Sequence, residues 1–135
     1  ATSLPVIVNG DINTLDDVDQ ALEQSGADGI MIGRGAYGRP WFPAQAIHYL
    51  RTGERLPDPS IAEQYAAVRT HFEAMLDHYG LETGVRMARK HLGWYSKGFP
   101  ASADFRAAVN RETDAGKVRS MLASFFLPAM ERQAA

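Results

Sequence analysis

Apolar positions along this chain follow two different periods. Near the N-terminus, Pro5-Val6-Ile7-Val8 is a short run rich in β-branched residues that breaks at Asn9-Gly10-Asp11. Ile30-Met31-Ile32 repeats the pattern and breaks at Gly33-Arg34-Gly35. Runs of this kind predict buried parallel strands whose C-terminal loops come close to a ligand. Between them, Leu15, Val18, Ala21 and Leu22 recur at helical spacing. Thr14 and Asp17 have capping-box spacing, Asp16 sits where exposed amides favour a carboxylate, and Gly26 is the expected C-cap. With a second strand from about Asp28, strand, helix and strand make a βαβ unit with parallel strands and a right-handed crossover. Two such strands cannot cover their own apolar faces and edges. Residues 1–57 are therefore expected to be the end of a larger α/β domain.

From Pro40 onward the period is helical. A short helix is expected over Pro43 to Leu50, closed by Gly53, and Leu56-Pro57-Asp58-Pro59 is a rigid connector that sets the domain boundary at 57/58. Ser60 and Glu63 then open a long helix whose apolar stripe is Ile61, Tyr65, Val68, Phe72, Met75 and Tyr79, ending at Gly80. A further helix is expected from Glu82 to Lys97, stopped by Gly98 and Pro100. A shorter one, capped by Ser102, covers Asp104 to Asn110. The last starts near Thr113 or Asp114 and turns Val118, Met121, Leu122, Phe125 and Phe126 inward until Pro128 interferes. The expected fold class is α/β then all-α, with residues 58–135 a helical domain resembling a four-helix bundle.

Composition narrows the chemistry. With 135 residues and 45% hydrophobic content the chain can bury one modest core or two small ones. It has no cysteine, which excludes a disulfide framework, a thiolate metal site and a cysteine nucleophile within it. No apolar run approaches the roughly 20 residues that span a bilayer, and the first residues lack the pattern of a signal peptide. The expectation is a soluble protein with no membrane partner, compatible with a cytoplasmic setting. The net charge of -2 conceals an asymmetry: residues 1–79 carry 5 Lys/Arg against 11 Asp/Glu, and residues 80–135 carry 9 against 5. The two parts are expected to face different partners.

The strand ends have the composition of an anion site. Glycine leaves backbone amides open in Asn9-Gly10-Asp11 and in Gly33-Arg34-Gly35, and Arg34 adds a guanidinium whose fork matches two phosphate oxygens. Each loop taken singly could be a plain turn, with Arg34 in a surface ion pair. Both loops in register after adjacent parallel strands favour phosphate, as at the last two strands of a (β/α)₈ barrel. Asp11 is harder to place, because a carboxylate repels phosphate; it caps the helix, holds a ribityl hydroxyl or holds a neighbouring side chain.

The Glu82 helix has two faces. At about 100° per residue from Arg86, Lys97 falls near 20°, Lys90 near 40° and Arg89 near 300°, while Val85, Ala88, Leu92 and Tyr95 fall opposite. No acid occurs between residues 83 and 103. Ordinary solvated faces mix charge signs, so Arg86, Arg89, Lys90 and Lys97 are candidates for RNA phosphate contact. Arg106, Arg111, Lys117 and Arg119 are candidates to widen the patch. Tyr95 is expected to pack in the core, Trp94 lies at the flank, and His91 caps or packs. His71 and His78 are too far apart on their helix for an i, i+4 metal pair, and no metal is expected.

Val8-Asn9-Gly10-Asp11-Ile12, Asp28-Gly29-Ile30-Met31-Ile32-Gly33-Arg34-Gly35-Ala36, Tyr37-Gly38-Arg39-Pro40-Trp41-Phe42 and Arg89-Lys90-His91-Leu92-Gly93-Trp94-Tyr95-Ser96-Lys97-Gly98 resemble, in order and spacing, the C-terminal part of bacterial tRNA-dihydrouridine synthases. The resemblance implies the last βαβ portion of an FMN-binding (β/α)₈ TIM barrel followed by a helical tRNA-binding domain. It implies reduction of uridine in tRNA with NADPH, and it places Asn9, Gly10, Asp11, Gly33 and Arg34 at FMN. Arg39, Pro40 and Trp41 match a family motif and are assigned to packing. The family's catalytic cysteine and the strands that hold the flavin ring have no counterpart here. The expectation is therefore a C-terminal fragment with no catalytic residue of its own, inactive and a poor FMN binder without the missing N-terminal barrel portion. Its open strand edges leave a strand-mediated homodimer as one way to cover them. Two other readings stay open: a dihydroorotate dehydrogenase-like FMN barrel, and a non-enzymatic helical RNA-binding module.

Overall fold

The computed structural model describes residues 2–135 and is mostly helical, with two short parallel strands. The chain folds as two compact units that divide between Asp58 and Pro59.

In the first unit, β1 (Ile7–Asn9), α1 (Leu15–Ser25) and β2 (Gly29–Met31) form the βαβ element, with Ile7, Val8 and Asn9 in register with Gly29, Ile30 and Met31. Asp28 closes the start of the pair. Its carboxylate accepts from the Val6 amide at 2.8 Å, and its own amide donates to the Val6 carbonyl at 2.8 Å. α1 begins as its sequence dictates: Thr14 accepts from the Asp17 amide while Asp17 accepts from the amides of Thr14 and Asn13, and Gly26 ends it at φ 64°. After β2 a 3₁₀ turn, Arg34–Ala36, leads to α2 (Phe42–Thr52), which stops at Gly53 with φ 74°. Ile12, Val18, Phe42 and Ala46 form the core, flanked by Leu15, Ala21, Leu22, Ile30 and Ile32. Buried Gln45 donates to the Pro57 carbonyl at 3.0 Å and to Asp58 at 3.1 Å, which fixes the connector against α2.

The sheet itself is poorly covered. Leu4, Ile7 and Met31 are 72%, 57% and 52% exposed, so the strands are not buried among the described residues as the apolar runs predict. Two strands and the helix packed on them offer too little surface to cover both faces.

In the second unit, α3 (Ile61–Tyr79), α4 (Leu81–Tyr95), α5 (Ser102–Val109) and α6 (Ala115–Ala134) bury Val68, Phe72, Leu76, Val85, Ala88, Leu92, Val109, Val118, Leu122 and Phe126. Ser60 and Glu63 form the capping box of α3. Gly80, at φ 78°, both ends α3 and starts α4. The two helices approach so closely that a Cβ on Gly84 would stand 2.9 Å from the Leu76 Cα and the Met75 carbonyl oxygen.

Four expectations are corrected here. Tyr79 is 45% exposed, because the α3 stripe leaves the core one turn before the helix ends. Ser102 is the first residue of α5 rather than its cap; the capping position is Ala101, at φ 59°, and the Ser102 hydroxyl accepts from Arg106 instead. Met121 and Phe125 are only half-buried. Pro128 does not end α6, which runs on to Ala134. Pro128 and Ser124, whose carbonyl loses its helical donor, both face solvent, while Ala129 is buried beyond them and the Gln133 side chain accepts from the Ile61 amide at 2.7 Å.

Candidate functional site

The loops after β1 and β2 enclose a concavity of about 270 Å³ lined by Asn9, Gly10, Asp11, Ile12, Gly33, Arg34 and Gly35. All five residues singled out at the strand ends thus meet on one surface. Glycine is required at Gly10 and Gly35 for different reasons. Gly10 has φ 147°, a conformation L side chains avoid, and a Cβ on Gly10 or Gly33 would project into open space. At Gly35 the two loops touch: a Cβ would fall 2.0 Å from the Ile12 carbonyl oxygen. Bare peptide groups at Gly10 and Gly33 leave room for a ligand, and Gly35 lets the loops close on each other.

Arg34 donates through Nη2 to the Asp11 carboxylate at 2.6 Å, with the two side chains 76% and 78% exposed. Of the alternatives for Asp11, the structure shows it holding a neighbouring side chain. Asp11 stands at φ 43°, and the Asn13 side chain donates to its carbonyl at 2.8 Å. Arg39 braces the same loop through the Asn13 carbonyl at 3.0 Å and lies 4.7 Å over the Phe42 ring. Trp41 donates to Asp58 at 3.2 Å. These contacts are structural, as expected for Arg39 and Trp41. The concavity offers backbone amides, the Arg34 guanidinium and the Asp11 carboxylate paired with it, and no histidine, serine or threonine lines it.

On α4, Arg86 and Lys90 are exposed, and Val85, Ala88, Leu92 and Tyr95 are buried on the opposite side; Lys97 is exposed too but lies in the turn after the helix ends at Tyr95, not within the helix as expected. Arg89 differs from its neighbours. It is half-buried, its Nη2 donates to the Glu112 carbonyl at 2.9 Å, and its buried Nε has no partner among the described residues. Part of its guanidinium thus ties the turn between α5 and α6 to α4. The wider patch is smaller than the count of cations suggests. Arg119 makes two bonds to Glu73, at 2.6 and 2.7 Å, which hold the Glu73 carboxyl below its ordinary range. Arg106 turns to Ser102, and Arg111 donates to the Ala107 carbonyl. The loop signals and the two faces of α4 were readable from local spacing; partners 46 residues apart, such as Arg119 and Glu73, have no local signature.

His91 packs edge-on against His71 and Trp94, and the Tyr95 hydroxyl meets His71. No group of three or more potential metal ligands gathers anywhere among the described residues.

Residues 1–131 match the model of the family described as dihydrouridine synthase. The chain is 53% identical over 131 residues to a probable tRNA-dihydrouridine synthase of Rickettsia conorii, covering 97% of this chain and 40% of that protein. It is 52% identical over 111 residues to tRNA-dihydrouridine synthase B of Xanthomonas axonopodis pv. citri, covering 82% and 33%. For the corresponding protein of Pseudomonas aeruginosa the identity is 42% over 126 residues, covering 93% and 38%. The chain therefore spans two-fifths or less of the length of these curated relatives.

Proposed function

The chain belongs to the dihydrouridine synthase family, and from that premise we propose that it supplies the C-terminal end of a flavin-dependent tRNA-dihydrouridine synthase. Its βαβ element is the last portion of a (β/α)₈ barrel, and its helices α3 to α6 are a bundle-like domain that holds tRNA. The observation that carries this reading is the convergence of Asn9, Gly10, Asp11, Gly33 and Arg34 on one glycine-lined concavity.

Those residues fit the phosphate end of FMN. Open space faces Gly10 and Gly33, and the bond to Asp11 uses one end of the Arg34 guanidinium, leaving its other N–H groups for phosphate oxygens. When bound and reduced by NADPH, FMN would supply hydride chemistry for reduction of the uracil C5–C6 bond, which also takes up a proton. The residues of this chain bind and orient. Arg86, Lys90 and Lys97 meet the tRNA backbone, and Arg89 sets the α4 face beside them while its exposed portion joins the contact. The proton for uracil comes from outside the chain, which has no cysteine. The chain alone is inactive, and its exposed strands are covered either by the rest of the barrel or by a second copy.

A chimaera tests this. When the chain replaces the matching stretch of the Rickettsia conorii relative, the purified protein should carry stoichiometric flavin and form dihydrouridine in tRNA. Arg34→Ala in the chimaera should lower flavin content with little change in melting of the apoprotein, whereas Gly10→Val should lower both, because its backbone stands at φ 147°. A folded chimaera devoid of flavin would refute the reading.

A further inference from the structure

The helical unit contains a cluster of titratable side chains that neither flavin nor tRNA binding uses. His71 of α3 and His91 of α4 meet across the helix interface with ring centroids 4.8 Å apart and planes at 70°. His71 Nδ1 lies 3.1 Å from the hydroxyl of Tyr95, itself 7% exposed, and His91 meets Trp94 edge-on at 5.0 Å. We infer that His71 and His91 form a proton-operated latch between α3 and α4, closed while the imidazoles are neutral and loosened when both are protonated.

The surroundings determine the sign. α3 contributes His71 alone to the cluster. α4 contributes His91 and Tyr95, with Lys90 beside His91. Neither imidazole makes an ion pair with a carboxylate of α3, α4, α5 or α6 among the described residues. Two imidazolium rings would therefore face each other, next to a third cation, with no counter-ion. Burial pushes both imidazoles below their ordinary range, and His71 and Lys90 push His91 further down. The Tyr95 hydroxyl tolerates either state of His71, since it can donate to the bare Nδ1 or accept from the protonated one.

Linkage then fixes the direction of the effect. A histidine depressed in the folded state binds protons more readily when unfolded, so its contribution is complete above about pH 6.5 and is lost as pH falls toward the folded value. Acid thus loosens the α3–α4 junction as pH falls from about 6.5.

An imidazole-proton NMR titration of the 135-residue chain, assigned with His71→Gln and His91→Gln, tests the latch. Two midpoints below about 6.5 are expected, and removing either ring should raise the midpoint of the other. The fall in Tm between about pH 7.5 and pH 5.5 should be smaller in His91→Gln than in the parent chain. Midpoints at or above about 6.5 in the parent would overturn the proposal even if neither variant folds, and so would midpoints indifferent to loss of the partner ring.

Discussion

At the scale of single residues, contacts that depend on immediate neighbours were legible and those across the fold were not. Thr14 with Asp17, Ser60 with Glu63, and glycines 26 and 53 announce their caps because donor, acceptor and turn lie within a few residues. The glycine loops after β1 and β2 were readable for the same reason. Whether Arg34 would meet Asp11, and whether Arg89 would turn toward Glu112, depended on folding that brings distant residues together. Two consequences can be measured. The Asn13 amide, then the Thr14 side chain and amide, lower Asp17, and Ser60 lowers Glu63. Carboxylates depressed on folding contribute above their unfolded values and lose that contribution as pH falls, so melting should drop between about pH 5 and pH 3, less so in Asp17→Asn. At Gly84, alanine would gain about 1 kcal/mol of helix propensity but press on α3 backbone at 2.9 Å. Overpacking costs about 1–3 kcal/mol, so denaturant melts should show Gly84→Ala less stable by about 1 kcal/mol.

At the scale of elements, the positions of helices followed from periodicity, while their ends depended on packing. Ala101 caps α5 in a left-handed conformation that no feature of Pro100-Ala101-Ser102 required, and Tyr79 left the core with the last turn of α3. α6 illustrates the limit best. A proline inside a helix costs about 3 kcal/mol relative to alanine, which argues for a stop at Pro128. The helix continues because Ala129 is buried and Gln133 reaches the start of α3, while solvent can satisfy the carbonyl released at Ser124. Pro128→Ala should therefore stabilise the chain by about 1–3 kcal/mol, read as a rise in Tm. No rise would mean that the ring itself sets the path of α6.

At the scale of the whole molecule, the thinly covered two-stranded sheet is expected to govern solution behaviour. Leu4, Val6, Ile7 and Met31 expose apolar surface beside unpaired strand edges, a combination that invites another strand. Light scattering of the isolated chain should show concentration-dependent association that Ile7→Lys reduces, and the barrel chimaera should remain dispersed at the same concentrations. The shortage of strands was visible in the sequence as the absence of a third run like the first two. The chain spans 40% of the length of its Rickettsia conorii relative.

Gly80 has a kinetic consequence. With one residue between α3 and α4, bringing the two helices together closes almost no loop, so their pairing loses little chain entropy. Such a hairpin is a natural nucleus: it can form early, with α5 and α6 condensing onto it, whereas the parallel pair β1–β2 must wait for a crossover to close. On that order of events the helical unit would fold ahead of the strands that precede it in the chain.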